Sequence, residues 1–411
     1  MPRIIFINRY FYPDQSATSQ LLSDLAFCLA GRGHDVHVVT SRQRYDDPRS
    51  RLPKEETVKG VRVHRVASTQ FGRPALIGRT IDYLSFYLST WRALLALGRP
   101  GDIIVAKTDP PLLSILAAKA ARRRQAWLIN WLQDLYPEVA ARLDVPLLGS
   151  RDVIVKQRDR SLIAASANVV PGESMAARVA ARGVPADKIH VIPNWANDDE
   201  IVPIARADSE LRVQWGLQDK FVVGYSGNLG RAHEFDTLLG AAEKLRGDPR
   251  IAFLCIGGGK QFDALAAQVE ARGLWERFHL LPYQERAVLK HSLSVPDVHW
   301  MSLKPELEGL IFPSKLYGIL AAGRPVIAVT AKGGEIARLV ETNGCGIAVA
   351  PGNADALAKA IADLSNDHRR LEEMGRRARM LLDEKFSRQS ALEKWRSLID
   401  KIAREPRQIR Q

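Results

Sequence analysis

The sequence predicts a two-domain α/β fold in which each domain holds a mostly parallel sheet, and three observations predict it. At 411 residues the chain is longer than one hydrophobic core ordinarily supports. Short β-branched runs alternate with segments of helical periodicity, the pattern of successive parallel α/β units. The strand segments themselves read as near-continuous apolar runs, as strands covered on both faces do.

In the first half, strands are expected at 4–8, 35–40, 61–66, 102–107, 126–131, 169–171 and 189–193, with helices at 19–30, 77–97, 112–121 and 153–167. After Asn194 the pattern breaks into Trp-Ala-Asn-Asp-Asp-Glu and then Pro203, which reads as a linker. A second series follows, with strands at 221–226, 252–256, 278–281, 298–302, 326–329 and 346–350. Its helices are expected at 235–245, 262–272, 314–322, 335–342 and 354–364, and the stretch 369–404 is charged and helical with no strand after it. The expected division is 1–196, 197–385, and a last helix within 386–411 that packs back on the first domain. Two such domains facing each other make the cleft between them the default ligand site.

A content of 46% hydrophobic and 26% charged residues is ordinary for a globular protein and argues against disorder. Cys28, Cys255 and Cys345 are odd in number and show neither metal-site nor disulfide spacing, so a reducing compartment is the simple reading. The opening apolar run fits a buried strand better than a signal peptide, and no stretch approaches the roughly 20 apolar residues of a spanning helix. The net charge of +13 fits either a basic surface or an anionic partner. Dispersed basic residues and the lack of any nucleic-acid motif disfavour RNA or DNA, which leaves anionic lipid and a phosphate-bearing substrate.

Candidate chemistry gathers at strand-to-helix loops, where open α/β sheets bind ligands. In Tyr225-Ser-Gly227-Asn228-Leu-Gly230-Arg231-Ala-His233-Glu234, glycines permit a tight loop before a helix start whose amides favour phosphate, with Arg231 and His233 adding charge; a plain turn is the alternative. In Glu306-Leu-Glu308 followed by Pro313-Ser314-Lys315-Leu-Tyr317, Pro313 and Ser314 suit the first turn and cap of a helix, Lys315 would neutralise diphosphate, and Glu308 could accept from sugar hydroxyls. Gly257-Gly258-Gly259 reads either as a loop approached by ligand or as a structural turn; Gly258, with Tyr283 beyond the next strand, joins the donor set. In the first half, Arg9 and the loop Tyr12-Pro-Asp14-Gln15-Ser16-Ala-Thr18 would face the cleft. Asp109 follows one strand and Asp134, Tyr136 and Glu138 follow the next; Asp134 reads as a sugar-binding group, a base or a helix cap.

These segments resemble family 4 of the retaining glycosyltransferases, over nearly the whole chain. The likeness is carried by Gly31-Arg-Gly-His-Asp-Val-His-Val-Val-Thr40, by Val184-Pro-Ala-Asp-Lys-Ile-His-Val-Ile-Pro-Asn194 and by Leu320-Ala-Ala-Gly-Arg-Pro-Val-Ile. Within that family Tyr12-Pro-Asp-Gln-Ser-Ala-Thr18, Gln133-Asp-Leu-Tyr-Pro-Glu138 and Pro313-Ser-Lys-Leu-Tyr-Gly-Ile-Leu-Ala-Ala-Gly323 are most similar to bacterial transferases of O-antigen, capsule and exopolysaccharide assembly, including the N-acetyl-L-fucosamine transferase group. The resemblance implies the GT-B fold (two Rossmann-like domains), a UDP-sugar donor in the C-terminal domain, a polyprenyl-diphosphate-linked acceptor at the N-terminal domain and retention of anomeric configuration. Two departures stand out. Where the family places a ribose-holding glutamate this chain has Gly318, and where it places an Arg and a Lys this chain has Asn228 and His233.

On this reading Arg231, Lys315 and the helix-start amides hold the departing diphosphate, with no metal expected because no Asp-x-Asp triplet is present. Ile77, Leu84, Tyr87, Leu88, Trp91 and Leu95 recur at helical spacing beside Arg73, Arg79 and Arg92, with Arg122-Arg123-Arg124 downstream. They read either as a core helix or as a face for the anionic inner surface of a cytoplasmic membrane. A UDP-sugar 2-epimerase on the same fold and a non-catalytic sugar-nucleotide-binding partner are the competing readings.

Overall fold

The structure is a computed structural model that describes residues 2–45, 47–71, 76–146 and 149–405. It divides into two units: Met1–Pro193 with Gly309–Phe312 and Ala391–Gln411, and Asn194–Glu308 with Pro313–Ser390.

The first unit is built on an eight-stranded sheet. Its strands are β1 (Ile4–Ile7), β2 (Val36–Ser41), β3 (Glu55–Val58), β4 (Val61–Val66), β5 (Ile103–Lys107), β6 (Trp127–Trp131), β7 (Ala167–Val170) and β8 (Ile189–Val191), in the spatial order β3-β4-β2-β1-β5-β6-β7-β8. All neighbours are parallel except β3 on β4. β1, β2 and β5 are buried along their whole length, which accounts for their unbroken apolar character. Strand β3 was not expected from the sequence. It is an edge strand whose residues alternate between exposed and half-buried, so its composition is polar. Lys59 and Gly60, both with positive φ, turn it directly into β4.

Helix Leu76–Leu97 covers this sheet through Phe86 and Leu94, both fully buried, with Tyr87 and Trp91 packed against the same cluster. The last helix, Arg388–Arg404, packs in the first unit through Trp395, whose ring lies 4.6 Å from that of Trp131. Arg32 pairs with Glu393 at 2.7 Å beside it. The segment Gly309–Phe312, expected in the second domain, belongs to the first unit. Leu135 donates its amide to the Leu310 carbonyl at 2.9 Å, and Asp134 forms a bridge with Ile311, so backbone pairing decides its place.

The second unit holds a six-stranded, wholly parallel sheet of β9 (Phe221–Asn228), β10 (Ile251–Gly258), β11 (Phe278–Leu281), β12 (Val298–Ser302), β13 (Val326–Val329) and β14 (Gly346–Val349), in the order β11-β10-β9-β12-β13-β14. Its core runs from Val223 and Tyr225 through Phe253 and Trp300 to Leu357 and Ile361. Gly224 in mid-strand lets Pro296 approach: a Cβ there would stand 2.0 Å from the proline Cγ. Short helices at Glu138–Arg142, Glu173–Ala180, Glu210–Gln214 and Leu289–Ser294 carry too few turns to show a periodicity and were not expected. Among the described residues no helix is long and apolar enough to cross a membrane.

Candidate active site

Among the parallel strands of each sheet, the antiparallel edge strand β3 aside, the strand order reverses direction once. These reversals fall between β1 and β5 in the first unit and between β9 and β12 in the second. Open parallel sheets bind ligands beyond the carboxyl ends of the strands that flank such a reversal.

In the second unit, Lys315 opens the helix Lys315–Ala321 and extends its ammonium to this point. Its Nζ donates to the Tyr225 hydroxyl at 2.7 Å and to the Asn228 carbonyl at 3.4 Å, and lies 2.9 Å from Nε2 of His233. The Tyr225 hydroxyl in turn donates to the Asn228 carbonyl at 2.8 Å. His233 Nδ1 stands 2.6 Å from the Ser302 carbonyl. A carbonyl only accepts, so Nδ1 carries the proton and Nε2 is left to accept from Lys315. Burial, followed by the Lys315 charge, pushes His233 down to about 3, so the ring is neutral at neutral pH. Burial pushes Lys315 down to about 7. Every partner of this ammonium is neutral, and among the described residues no carboxylate lies within ion-pair distance of it. Lys315 is half-buried, and a partly desolvated cation without a counter-ion is a costly arrangement unless an anion arrives to meet it.

The surrounding loops are shaped by close backbone approach. Gly227 (φ 131°) lies under the Lys315 side chain, where a Cβ would stand 3.4 Å from Cε. Gly257 and Gly259 are approached not by open space but by Gly227 and by Asn228 and Leu229, so the structural alternative accounts for this glycine run. A Cβ on Gly258 would stand 3.0 Å from the ring of Tyr283, itself 59% exposed. Asn228 and Arg231 are exposed and Gly230 half-buried. Pro313 is buried, and Ser314 is exposed and makes no capping bond with its side chain.

Several expectations need correction. Tyr317 is fully buried, its ring 5.5 Å from that of Phe386, so it belongs to the core and not to a donor surface. Glu308 accepts the Glu335 amide at 2.8 Å, placing its charge at the start of helix Glu335–Thr342, where the helix dipole favours it. Glu306 is exposed in the turn before it. The loop helix begins at Asp236, and Glu234 already accepts the Thr237 amide at 2.6 Å, so that start amide is occupied. Gly318 has Leu293 3.4 Å from where a Cβ would stand.

In the first unit the corresponding groups are Arg9 after β1, Lys107 ending β5, Asp109 after it, and Asp134 and Tyr136 after β6. Burial, then the neighbouring Asp109, pushes Asp134 up to about 6. Tyr136 is pushed upward by burial and then by Asp134. Lys107 is fully enclosed, its Nζ 3.5 Å from the Trp131 ring centre, and burial holds it well below the ordinary lysine range. Sequence reading did not single it out, although a lysine closing an otherwise apolar buried strand was a usable signal.

The remaining acceptor candidates divide. Glu138 is clamped by Arg158 at 2.6 and 2.9 Å and by Arg182 at 2.7 Å, which fixes the loop and commits the carboxylate. Asp14 is buried and binds the amides of Ser16 and Tyr45 and the Ser16 hydroxyl, so it ties two loops together instead of presenting its charge. Tyr12 (41% exposed) and Gln15 are exposed, and Ser16 and Thr18 half-buried.

Comparison with known proteins bears on both units. Residues 18–195 match the family described as "Glycosyl transferase 4-like domain", and residues 208–380 match "Glycosyl transferases group 1". The chain is a glycosyltransferase with the GT-B fold. This glycosyltransferase is 29% identical over 314 residues to the "Probable glycosyltransferase WbjE" of Pseudomonas aeruginosa, covering 74% of the chain and 76% of the relative. It is 27% identical over 381 residues to the "Putative colanic acid biosynthesis glycosyl transferase WcaI" of Escherichia coli, covering 87% and 91%. Among solved structures, Anabaena HepE in complex with UDP matches with a TM-score of 0.72 at 17% identity, covering 97% of this chain and 100% of that one.

The glycosyltransferase's Lys315 yields a pH prediction. A diphosphate stabilises the protonated ammonium, and the free amine forms as pH rises through about 7. Affinity for a UDP-hexose, whose diphosphate does not titrate near neutrality, is therefore greatest below that pH and falls by up to about tenfold per unit above it. Calorimetry between pH 6 and 9 checks this, and a flat profile would contradict it.

Proposed function

We propose that the chain is a retaining transferase that moves a sugar from a UDP-sugar to a polyprenyl-diphosphate-linked saccharide during cell-surface polysaccharide assembly. The unpaired ammonium of Lys315 at the β9/β12 reversal carries this reading, because it is a cation poised for an anion and surrounded by neutral groups. The similarity to WcaI, described as a colanic acid biosynthesis transferase, supports the polysaccharide setting, and the UDP complex of HepE supports the nucleotide. Similarity to the N-acetyl-L-fucosamine transferase group supports an N-acetylated amino sugar as the group moved.

In the proposed reaction the bond from the anomeric carbon to the diphosphate oxygen breaks, and the negative charge released falls on Lys315 and Arg231. An acceptor hydroxyl held by the first unit forms the new glycosidic bond, and its proton passes to Asp134, whose raised basicity suits a base near neutrality. Charge stabilisation of this kind is commonly the largest contribution to such a step. The test is a panel of UDP-, GDP- and dTDP-sugars against a short polyprenyl-diphosphate-linked saccharide, read by mass spectrometry. One UDP-sugar should be transferred, and Lys315→Ala should lower kcat by roughly a hundredfold or more with an unchanged circular dichroism spectrum. Near-normal turnover by that variant would remove Lys315 from the mechanism, and sugar isomerised without acceptor would favour the epimerase.

We further propose that the first unit docks on the anionic inner face of the cytoplasmic membrane. On helix Leu76–Leu97, Tyr87 and Trp91 pack inward, but Ile81, Leu84 and Leu88 are exposed on one face, with Arg92 following and with Arg122 and Arg123 exposed on helix Leu113–Arg124, the Arg123 guanidinium 5.9 Å from the Trp91 ring centre. Arg73 and the Ile77 side chain lie outside the described residues. Exposed apolar residues beside cations suit an anionic interface. Wild-type protein should float with phosphatidylglycerol vesicles and not with phosphatidylcholine alone, and the pair Leu84→Asp and Leu88→Asp should abolish flotation; equal recovery with both lipids would refute the docking face.

A further inference from the structure

Arg9 stands at the carboxyl end of β1, at the reversal point of the first sheet, and its surroundings are unusual for a buried cation. Its backbone is fixed on both sides. The amide donates to the Asp109 carbonyl at 2.6 Å, and the carbonyl accepts from the Ser41 amide at 3.0 Å and the Thr40 hydroxyl at 2.9 Å. The guanidinium lies against two rings, 5.4 Å from the centre of Tyr10 and 5.1 Å from that of Tyr83. Its side chain is only 9% exposed. Yet its hydrogen bonding is poor. Nη2 reaches Oε1 of Gln43 at 3.4 Å and stands 3.9 Å from Oδ2 of Asp82, while Nε is buried without a partner. Gln43 cannot turn to improve the contact, because its Nε2 is committed to the carbonyls of Ser68 and Thr69 at 3.2 and 3.0 Å. Asp82 is likewise engaged, accepting from the Thr69 hydroxyl and the Phe71 amide through Oδ1.

An arginine carries five donors in a fixed fork matched to oxyanions, and burying it with most of them unmet is unfavourable. Here the backbone anchors and the two rings hold the fork in place while leaving its donors under-used. This is the form of a prepared anion receptor and not of a structural ion pair, in which the donors would be met, as they are for Arg158 on Glu138.

We infer that Arg9 receives an oxyanion of the acceptor, either a phosphate of its diphosphate linker or the carboxylate of a uronic acid residue, and thereby selects anionic acceptors. The inference rests on the reading of the first unit as the acceptor unit and adds the chemistry that unit recognises. Tyr10, itself buried against Tyr45, and Tyr83 hold the guanidinium in position for that oxyanion.

The test is calorimetry on the full chain saturated with UDP, so that the nucleotide site is filled, titrated separately with farnesyl diphosphate and with glucuronate. Wild-type protein should bind one of the two, which names the source of the oxyanion. Arg9→Gln should weaken that binding about tenfold or more, and Arg9→Lys should restore part of it. UDP affinity, a property of the second unit, is the control for folding. Should Arg9→Gln not fold, Arg9→Lys decides, because it keeps the charge but loses the fork, and binding equal to wild type would overturn the inference. Silence of both probes with wild-type protein, or equal affinity in Arg9→Gln, overturns it too. Wild-type protein that fails to bind UDP would instead count against the transferase reading, so the two failures are distinguishable.

Discussion

A lysine ammonium surrounded by a phenol, an imidazole and a peptide carbonyl, with no carboxylate within reach among the described residues, is the interaction around which the loops of the second unit are arranged. The geometry around it is built to keep those partners neutral. The Ser302 carbonyl fixes the His233 tautomer so that its free nitrogen faces Lys315, and the Tyr225 hydroxyl spends its own proton on the Asn228 carbonyl. The ammonium is thereby solvated by dipoles that can be outcompeted by a charged phosphate. Had an aspartate stood at position 233, the cation would be more stable and the site already full. The glycines on the two adjoining strands serve the same end: Gly227 lets the lysine side chain lie over the strand terminus, and Gly257 lets the neighbouring loop close against it.

The first unit uses the same topology for a different balance of charge. At its reversal point cations and carboxylates are mixed, with Arg9 and Lys107 near Asp82, Asp109 and Asp134, and tyrosines lie among them. Burial moves Asp134 and Lys107 toward neutrality from opposite directions, which keeps the net field small.

Much of this was legible in the sequence because buried parallel strands leave an unmistakable apolar signature, and because Gly-rich and Pro-Ser-Lys segments punctuate the loops that follow them. The strands around both reversal points, and Lys315 itself, could be read in that way. What could not be read depends on long-range contacts. Nothing local marks Glu138 as the partner of Arg158, twenty residues on, or Glu308 as the cap of a helix starting at Glu335. Tyr317 looked available beside Lys315, but on a helix residues two apart face different ways, and this one turns into the core. The edge strand β3 was hidden because an exposed strand need not be apolar. The pairing of Gly309–Phe312 with the first unit follows from backbone bonds that no composition announces.

We propose that the ammonium of Lys315, which has no carboxylate partner among the described residues, meets a nucleotide's diphosphate. The most direct measurement is a crystal structure of the chain soaked with UDP. Phosphate oxygens should lie within hydrogen-bond distance of Lys315 Nζ, with the contact from His233 Nε2 lengthened or replaced. UDP bound with its phosphates away from Lys315, and the lysine still resting on Tyr225 and His233, would contradict it.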